Sequence, residues 1–357
     1  GTGAFPLLHD FNDDGLQDLF IGNYGYCDSC FYVNGVLNCD FSAKIALLQN
    51  LGSNKNPIFK LVDDDFANIS DFNLRSVVPA FFDFDNDGDY DLFCGCEDGK
   101  IYLFENRSNV FVLIDSDWLN LSSYDLENIA PCFYDVDNDG FVDLIIGNHT
   151  GKLSYFKNDN GNFVFVDDMF GGVDVRDYDY SWTGNSVVSA FSYNDTTFLS
   201  VGAEGGRVHI YKVYDENISG DFELTYSMND LGFRVAPAIG YLKDDVMPSM
   251  IVGNFSGGVQ FFSASKAPDV GLEDYMDPDN FVDVFPNPSS DGRISFRLNG
   301  VDVAELYVYS MTGKPMGIFA LKEGENNLNL SSLNNGVYIF SVDCVKGVFN
   351  GKFLIIK

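Results

Sequence analysis

One thirteen-residue frame occurs three times in this chain, at Asp10–Gly22, Asp83–Gly95 and Asp135–Gly147. Each copy reads D-x-[DN]-x-D-G-x-x-D, followed by three apolar residues and Gly. A proline-containing strand precedes each one, Phe5–Leu8, Pro79–Phe82 and Pro131–Tyr134. After the second and third copies come a Gly-Lys turn and an aromatic strand, Gly99–Phe104 and Gly151–Phe156. Two degraded copies follow. Val187–Phe191 leads to Gly202 and Gly206–Tyr211, and Pro237–Ile239 leads to Gly253 and Gly258–Phe262. The glycines at 22, 95, 147, 202 and 253 lie 73, 52, 55 and 51 residues apart, the first interval lengthened by an insertion around Tyr24–Lys44. A period near 52 built of short strands and turns, with no helical stretch, predicts a β-propeller rather than an α-solenoid.

The acidic frame predicts a metal loop. A hard cation takes six to eight oxygens, and a tight loop aims alternate side chains at it. Positions 1, 3, 5 and 9 supply side-chain oxygens: Asp10, Asn12, Asp14 and Asp18; Asp83, Asp85, Asp87 and Asp91; Asp135, Asp137, Asp139 and Asp143. Position 7, which is Leu16, Asp89 or Phe141, offers its backbone carbonyl, and Gly at position 6 permits the sharp turn. So many acidic oxygens in nine residues repel one another unless a cation sits among them. An all-oxygen, flexible donor set favours calcium over magnesium, at about three sites. Because each loop draws its ligands from one short segment, the expected role is structural. A catalytic metal keeps an open position and a nearby base. In the fifth copy the matching positions are Tyr241, Lys243, Asp245 and Ser249, so that site is lost, and the fourth copy retains no recognisable loop.

Charge then divides the chain. It has 357 residues and a net charge of −32, yet Phe281–Lys357 holds seven acids and seven bases. The whole excess lies before residue 281, which predicts a propeller over 1–264, a Pro- and Asp-rich linker over 265–280 and a second domain over 281–357. So acidic a surface repels nucleic acid and anionic lipid, and no apolar run approaches the ~20 residues of a membrane helix. The chain opens at Gly1 without an initiator Met, as expected of a processed form or a fragment.

The repeats resemble the FG-GAP (integrin-α-like, VCBS) β-propeller family over roughly residues 4–264. The resemblance implies four-stranded blades with calcium in the loop between the first two strands of some of them. Family members usually close with seven or eight blades. Only five repeats are visible, and Gly1 starts directly before a first-type strand, so N-terminal blades are expected to be missing. A five-bladed ring is the alternative.

Seven short strands are read in the last 77 residues, from Val282–Phe285 to Phe349–Ile356, and they predict an immunoglobulin-like β-sandwich. Val284-Phe-Pro-Asn-Pro288, Glu305–Lys314, Leu333–Tyr338 and Gly351–Lys357 resemble, in order and spacing, the type A C-terminal sorting domain of the type IX secretion system of Bacteroidota. That resemblance implies export, recognition by the type IX machinery, and release or surface anchoring after cleavage in the linker.

Seven cysteines leave at least one unpaired within the chain. Cys27, Cys30 and Cys39 cluster in the first-blade insertion, where a disulfide suits an exported protein and a zinc site lacks a fourth ligand. Cys94, Cys96, Cys132 and Cys344 read as buried thiols. His9, His149 and His209 are the only histidines and read as structural or surface residues. No Ser-His-Asp spacing, phosphate loop or dinucleotide fingerprint appears. The expected function is that of a secreted or surface calcium-binding propeller that binds a glycan or a protein, an adhesion-type module without catalysis. Candidate contact aromatics are Tyr24, Tyr26, Trp118, Tyr178, Tyr180 and Trp182, most of them expected in blade packing, with Asp174–Trp182 the best partner-facing loop. The alternatives are a lyase-like polysaccharide-degrading propeller and a spacer attached to a larger effector.

Overall fold

The computed structural model describes residues 2–53, 56–178, 182–214, 218–242, 248–263, 282–310, 314–344 and 347–357. The chain divides into two compact units, Gly1–Ala267 and Pro268–Lys357. The expected linker, 265–280, lies outside the described residues, as do Tyr180, Lys243 and Asp245.

Unit one is five small antiparallel sheets. The first contains β1 (Phe5–His9), β2 (Asp18–Gly22), β5 (Ile45–Asn50) and β6 (Phe59–Asp63), with the hairpin β3 (Tyr26–Val33) and β4 (Val36–Ser42) inserted between its second and third strands. The second is β7 (Val78–Phe82), β8 (Asp91–Gly95), β9 (Ile101–Asn106) and β10 (Phe111–Asp115). The third is β11 (Ala130–Tyr134), β12 (Asp143–Gly147), β13 (Leu153–Asp159) and β14 (Asn162–Asp167). The fourth is β15 (Val187–Tyr193), β16 (Thr196–Gly202), β17 (Val208–Lys212) and β18 (Glu223–Met228). The fifth has three strands among the described residues: β19 (Ala236–Gly240), β20 (Ser249–Gly253) and β21 (Val259–Ser263).

The ring closes at five blades. Inner strands pack in the cycle β1–β7–β11–β15–β19–β1. One pair of backbone hydrogen bonds recurs at every seam: Glu97 N to Arg75 O and Asn128 N to Glu97 O; His149 N to Glu127 O and Asn185 N to His149 O; Glu204 N to Gly184 O and Arg234 N to Glu204 O. Tyr24 N to Thr2 O and Ser76 N to Tyr24 O make the same pair in the first blade. Phe255 N to Phe233 O at 2.8 Å and Gly3 N to Phe255 O at 2.9 Å complete the set, the second joining the last blade to the first. The expectation of a seven- or eight-bladed ring lacking N-terminal blades is therefore corrected to the five-bladed alternative.

The repeat's glycines and prolines build these seams. A Cβ on Gly22, Gly95, Gly147, Gly202 or Gly253 would meet the carbonyl oxygen of Val77, Ile129, Ser186, Val235 or Ala4 at 2.0–2.3 Å. At four of the seams the ring of Pro79, Pro131, Pro237 or Pro6 lies against the same glycine. Proline is tolerated there because the inner strand is a sheet edge and needs no donor on its axial side. Phe66, Trp118 and Phe170 open short 3₁₀ turns between blades and are buried. The role of Trp118 is thus wedge packing, against Phe93 and Phe163.

Unit two is one five-stranded sheet folded over its own core: β22 (Val282–Phe285), β23 (Arg293–Ser310), β24 (Pro315–Asn329), β25 (Gly336–Cys344) and β26 (Gly347–Ile355). The seven expected segments join into five because β23 and β24 continue through a register shift between Leu298 and Val303. Phe340 pairs with Val308, twelve residues along β23 from Phe296, or about 40 Å on a straight strand. Yet the Phe296 and Phe340 rings lie 5.1 Å apart, so the long hairpin bends and its halves face each other as two layers.

Candidate metal centres

The acidic loops connect each inner strand to its neighbour, at the end of the blade away from the seam bonds just described. The first three have the same internal wiring. Position 1 accepts from the backbone N–H groups of positions 5 and 6: Asp10 from Asp14 and Gly15 at 3.2 and 2.8 Å, Asp83 from Asp87 and Gly88 at 3.1 and 3.2 Å, Asp135 from Asp139 and Gly140 at 3.1 and 3.0 Å. Position 3 (Asn12, Asp85 or Asp137) accepts from position 5, and position 5 (Asp14, Asp87 or Asp139) accepts from position 7. The donors are Leu16, Asp89 and Phe141, whose carbonyls remain for a cation.

Position 9 differs because it is buried. Asp18, Asp91 and Asp143 each accept a backbone N–H from the Asn that recurs on the third strand of these blades, Asn50, Asn106 and Asn158, at 2.7, 2.7 and 2.8 Å. Asp91 also accepts from Phe84 at 3.0 Å, and Asp143 from the Tyr155 hydroxyl at 2.9 Å. Burial pushes all three carboxyls above the ordinary value, and these donors pull part of the way back.

Asp83, Asp85 and Asp91 each bring one oxygen within 4.8 Å of the others, as do Asp135, Asp137 and Asp143. At an effective dielectric near 20, two carboxylates that close repel by about 3 kcal/mol. An all-oxygen donor set around one point, with part of its lone-pair capacity uncommitted, fits a calcium-sized cation. The fourth blade has only the two-residue turn Asn194–Asp195, both with positive φ, the hairpin geometry that leaves no loop to hold an ion.

The opposite end of the ring, where the seam bonds gather, is a polar mouth. Glu97 accepts from the Tyr24 hydroxyl at 3.1 Å and lies 4.0 Å from Arg75. Buried Glu204 pairs with Arg234 at 3.3 Å and with Thr183. Ser76, Asn128, Asn185 and Arg234 hold left-handed backbone at equivalent positions. Asn128 donates to Asn185, while its own Oδ1 is buried without a partner. Sequence reasoning missed Glu97 and Glu204. Their signal was position, since each lies two residues after a seam glycine.

The candidate contact aromatics separate. Trp182 is 85% exposed and Tyr178 60% exposed, with rings 6.3 Å apart. The Arg176 guanidinium sits over Tyr178 at 4.9 Å and is held by Asp174. Two residues past Trp182, Gly184 joins the seam bonds, which fixes this loop at the mouth. Tyr26 is exposed on the inserted hairpin, and Tyr24 is half-buried between Phe41 and Phe255. The hairpin carries the disulfide Cys30–Cys39 and is tied to the mouth by Arg75, which donates to Cys39 O at 3.3 Å. Cys94 and Cys96 are buried and Cys132 and Cys344 partly so, while Cys27 is exposed. His9 stacks on Phe81, His149 accepts from Glu127 N at 2.9 Å, and His209 bonds Ser227 at 2.8 Å. All three have structural roles.

An axial cavity of about 210 Å³ is lined by the inner strands of all five blades, whose side chains there are apolar apart from His9, Cys132 and Ser189 and whose backbone adds polar surface. No helix among the described residues is long and apolar enough to cross a membrane.

Among known proteins, residues 83–146 match an FG-GAP-like repeat and residues 283–357 match a secretion system C-terminal sorting domain. No curated protein matches the chain. Similar solved structures include the RS223 β-xylosidase, 12% identical with a TM-score of 0.49, covering 75% of this chain and 94% of that one. A GH43 glycoside hydrolase engineered to display endo-xylanase and exo-arabinofuranosidase activity is 7% identical, with a TM-score of 0.40 over 98% of this chain and 90% of its own. The Nup133 β-propeller of Vanderwaltozyma polyspora is 12% identical, with a TM-score of 0.24 over 94% of this chain and 97% of its own. From the two family matches, the chain is a secreted or cell-surface protein that carries an FG-GAP-like repeat at residues 83–146 and a type IX C-terminal sorting domain at residues 283–357.

Proposed function

We propose that this is a calcium-stabilised propeller, exported through its tail, that binds a glycan at the mouth without transforming it. The observation that carries the binding reading is Trp182. The Trp182 indole, 85% exposed and the most exposed large hydrophobic side chain among the described residues, stands beside Tyr178 as a stacking platform. Net charge selects the class of sugar. With −32 concentrated outside the sorting domain, a neutral glycan approaches and a sulfated or uronic-acid polymer is repelled. Calcium acts at the far end of the first three blades, where Asp10, Asn12, Asp14 and Asp18, and their counterparts in the next two blades, hold two strands together.

A glycan array with wild type and Trp182→Ala, each with and without chelator, tests this. The expected outcome is retention of neutral glycans by wild type and at least tenfold weaker binding by the variant at unchanged melting temperature. Binding of proteins alone would move the reading to a protein ligand. Turnover of a polysaccharide would replace it with an enzymatic one, in which Glu97 and Glu204 are the acids to substitute.

A further inference from the structure

The three acidic loops differ in one neighbour, and the difference is a charge. The residue before the recurring Asn on the third strand is Gln49 in blade one, Glu105 in blade two and Lys157 in blade three. Gln49 is neutral. Glu105 is itself acidic and pairs with Arg107 at 2.6 Å. Lys157 instead donates to both Asp137 and Asp139, the latter at 2.7 Å. The ammonium thus bridges positions 3 and 5 of the third loop, two of the side chains a divalent ion would need.

We propose that Lys157 is a built-in counter-ion that competes with calcium for the third loop, so that blades one and two bind the ion tightly and blade three weakly. This rests on the calcium reading above and refines its count of sites. The lysine relieves the repulsion that a divalent ion would otherwise relieve, and so the third loop keeps its shape in chelator. Its side chain is 39% exposed and can swing out, so calcium displaces it at a cost rather than being shut out. If the lysine holds the loop in about nine molecules of ten, the apparent calcium affinity there falls about tenfold. Neither of the other loops pays this penalty.

Calcium titration of the full chain, followed by native mass spectrometry and by terbium luminescence, tests the proposal in wild type, Lys157→Met and Lys157→Gln. The two variants keep the stem and remove the charge, and the exposure of the head group leaves the fold intact. Wild type is expected to bind two ions tightly and a third about tenfold more weakly. In both variants the third ion should bind like the first two, and chelator should lower their melting temperature further than it lowers that of wild type. Three equal ions in wild type, unchanged in the variants, would overturn the lysine's role and leave the calcium reading standing. No ion in any of the three proteins would overturn both.

Discussion

Gly253→Ala tests closure of the ring directly. Gly253 ends β20 of the last blade, and a Cβ there would lie 2.1 Å from Ala4 O and 2.9 Å from the Pro6 ring, both at the first blade. A backbone carbonyl cannot rotate away as a side chain does, so the seam must open. Overpacking of this kind costs about 3 kcal/mol. Alanine returns roughly 0.5–1 kcal/mol by restricting the unfolded chain, leaving a net loss of about 2 kcal/mol. For a unit of this size that is a fall in melting temperature of about 4–8 °C. Gly95→Ala, whose Cβ would meet Ile129 O at 2.3 Å, serves as the internal seam for comparison. Gly205→Ala, with nothing nearer than 3.7 Å, is the neutral control. Tryptophan fluorescence reads the right unit, since Trp118 and Trp182 are the only tryptophans and both lie in the propeller. If Gly253→Ala melts with wild type while Gly95→Ala falls, blades one and five do not meet and the five-bladed ring is wrong.

Two further outcomes follow from the sites. Asp91→Ala leaves Asn106 N and Phe84 N without their acceptor, a loss of roughly 3 kcal/mol or more in urea unfolding whether or not calcium is present. Asp85→Ala, at an exposed position, should cost little in chelator and remove only the calcium-dependent stability; equal losses for both would contradict the division between buried and exposed ligands. His209 is held below its ordinary value of 6.5 by burial and then by Arg207. The unfolded chain therefore takes up the proton first, and stability declines as pH falls from 6.5 toward the folded value. His209→Gln should show a smaller decline in urea midpoint between about pH 7.5 and about pH 5 than wild type, and an identical decline would remove His209 from the acid response.

Much of this was readable from residues because the repeat's punctuation is itself structural. Gly22, Gly95, Gly147, Gly202 and Gly253 mark the period because any side chain there would strike the next blade. Loop residues could be named because alternate positions of a tight turn converge. Closure at five was not readable, since it depends on Gly3 and Phe255 meeting across the whole propeller sequence, and no local pattern encodes that contact. The sandwich was cut into seven pieces because Asn299-Gly300 has the composition of a turn, whereas β23 runs on through it. Trp118 was one of the candidate contact aromatics until its neighbours were known. Its spacing of 52 residues from both Phe66 and Phe170 is the sequence signal of a packing wedge. Lys157 carried no signal at all, because its effect depends on which loop the third strand of its blade passes.

The two ends of the propeller bear different demands, and the chain meets them with different chemistry. At the loop end, charge of one sign is crowded into turns, and on the reading proposed above stability there depends on a cation, whether calcium or, in blade three, an ammonium. At the mouth two acids already have partners: Glu97 has Tyr24 and Arg75, and Glu204 has Arg234 and Thr183. Such pairs need no ion, so chelation should loosen the blades from the far end while leaving the mouth's contacts in place. Four of the five inner strands are only five residues long, about 17 Å, and transmit little strain when their loops relax. Under the proposed function, a ligand-binding face therefore sits on a metal-dependent scaffold without itself becoming metal-dependent. The inserted hairpin and the Trp182 loop, both at the mouth, can then vary without disturbing the loops that hold the strands together.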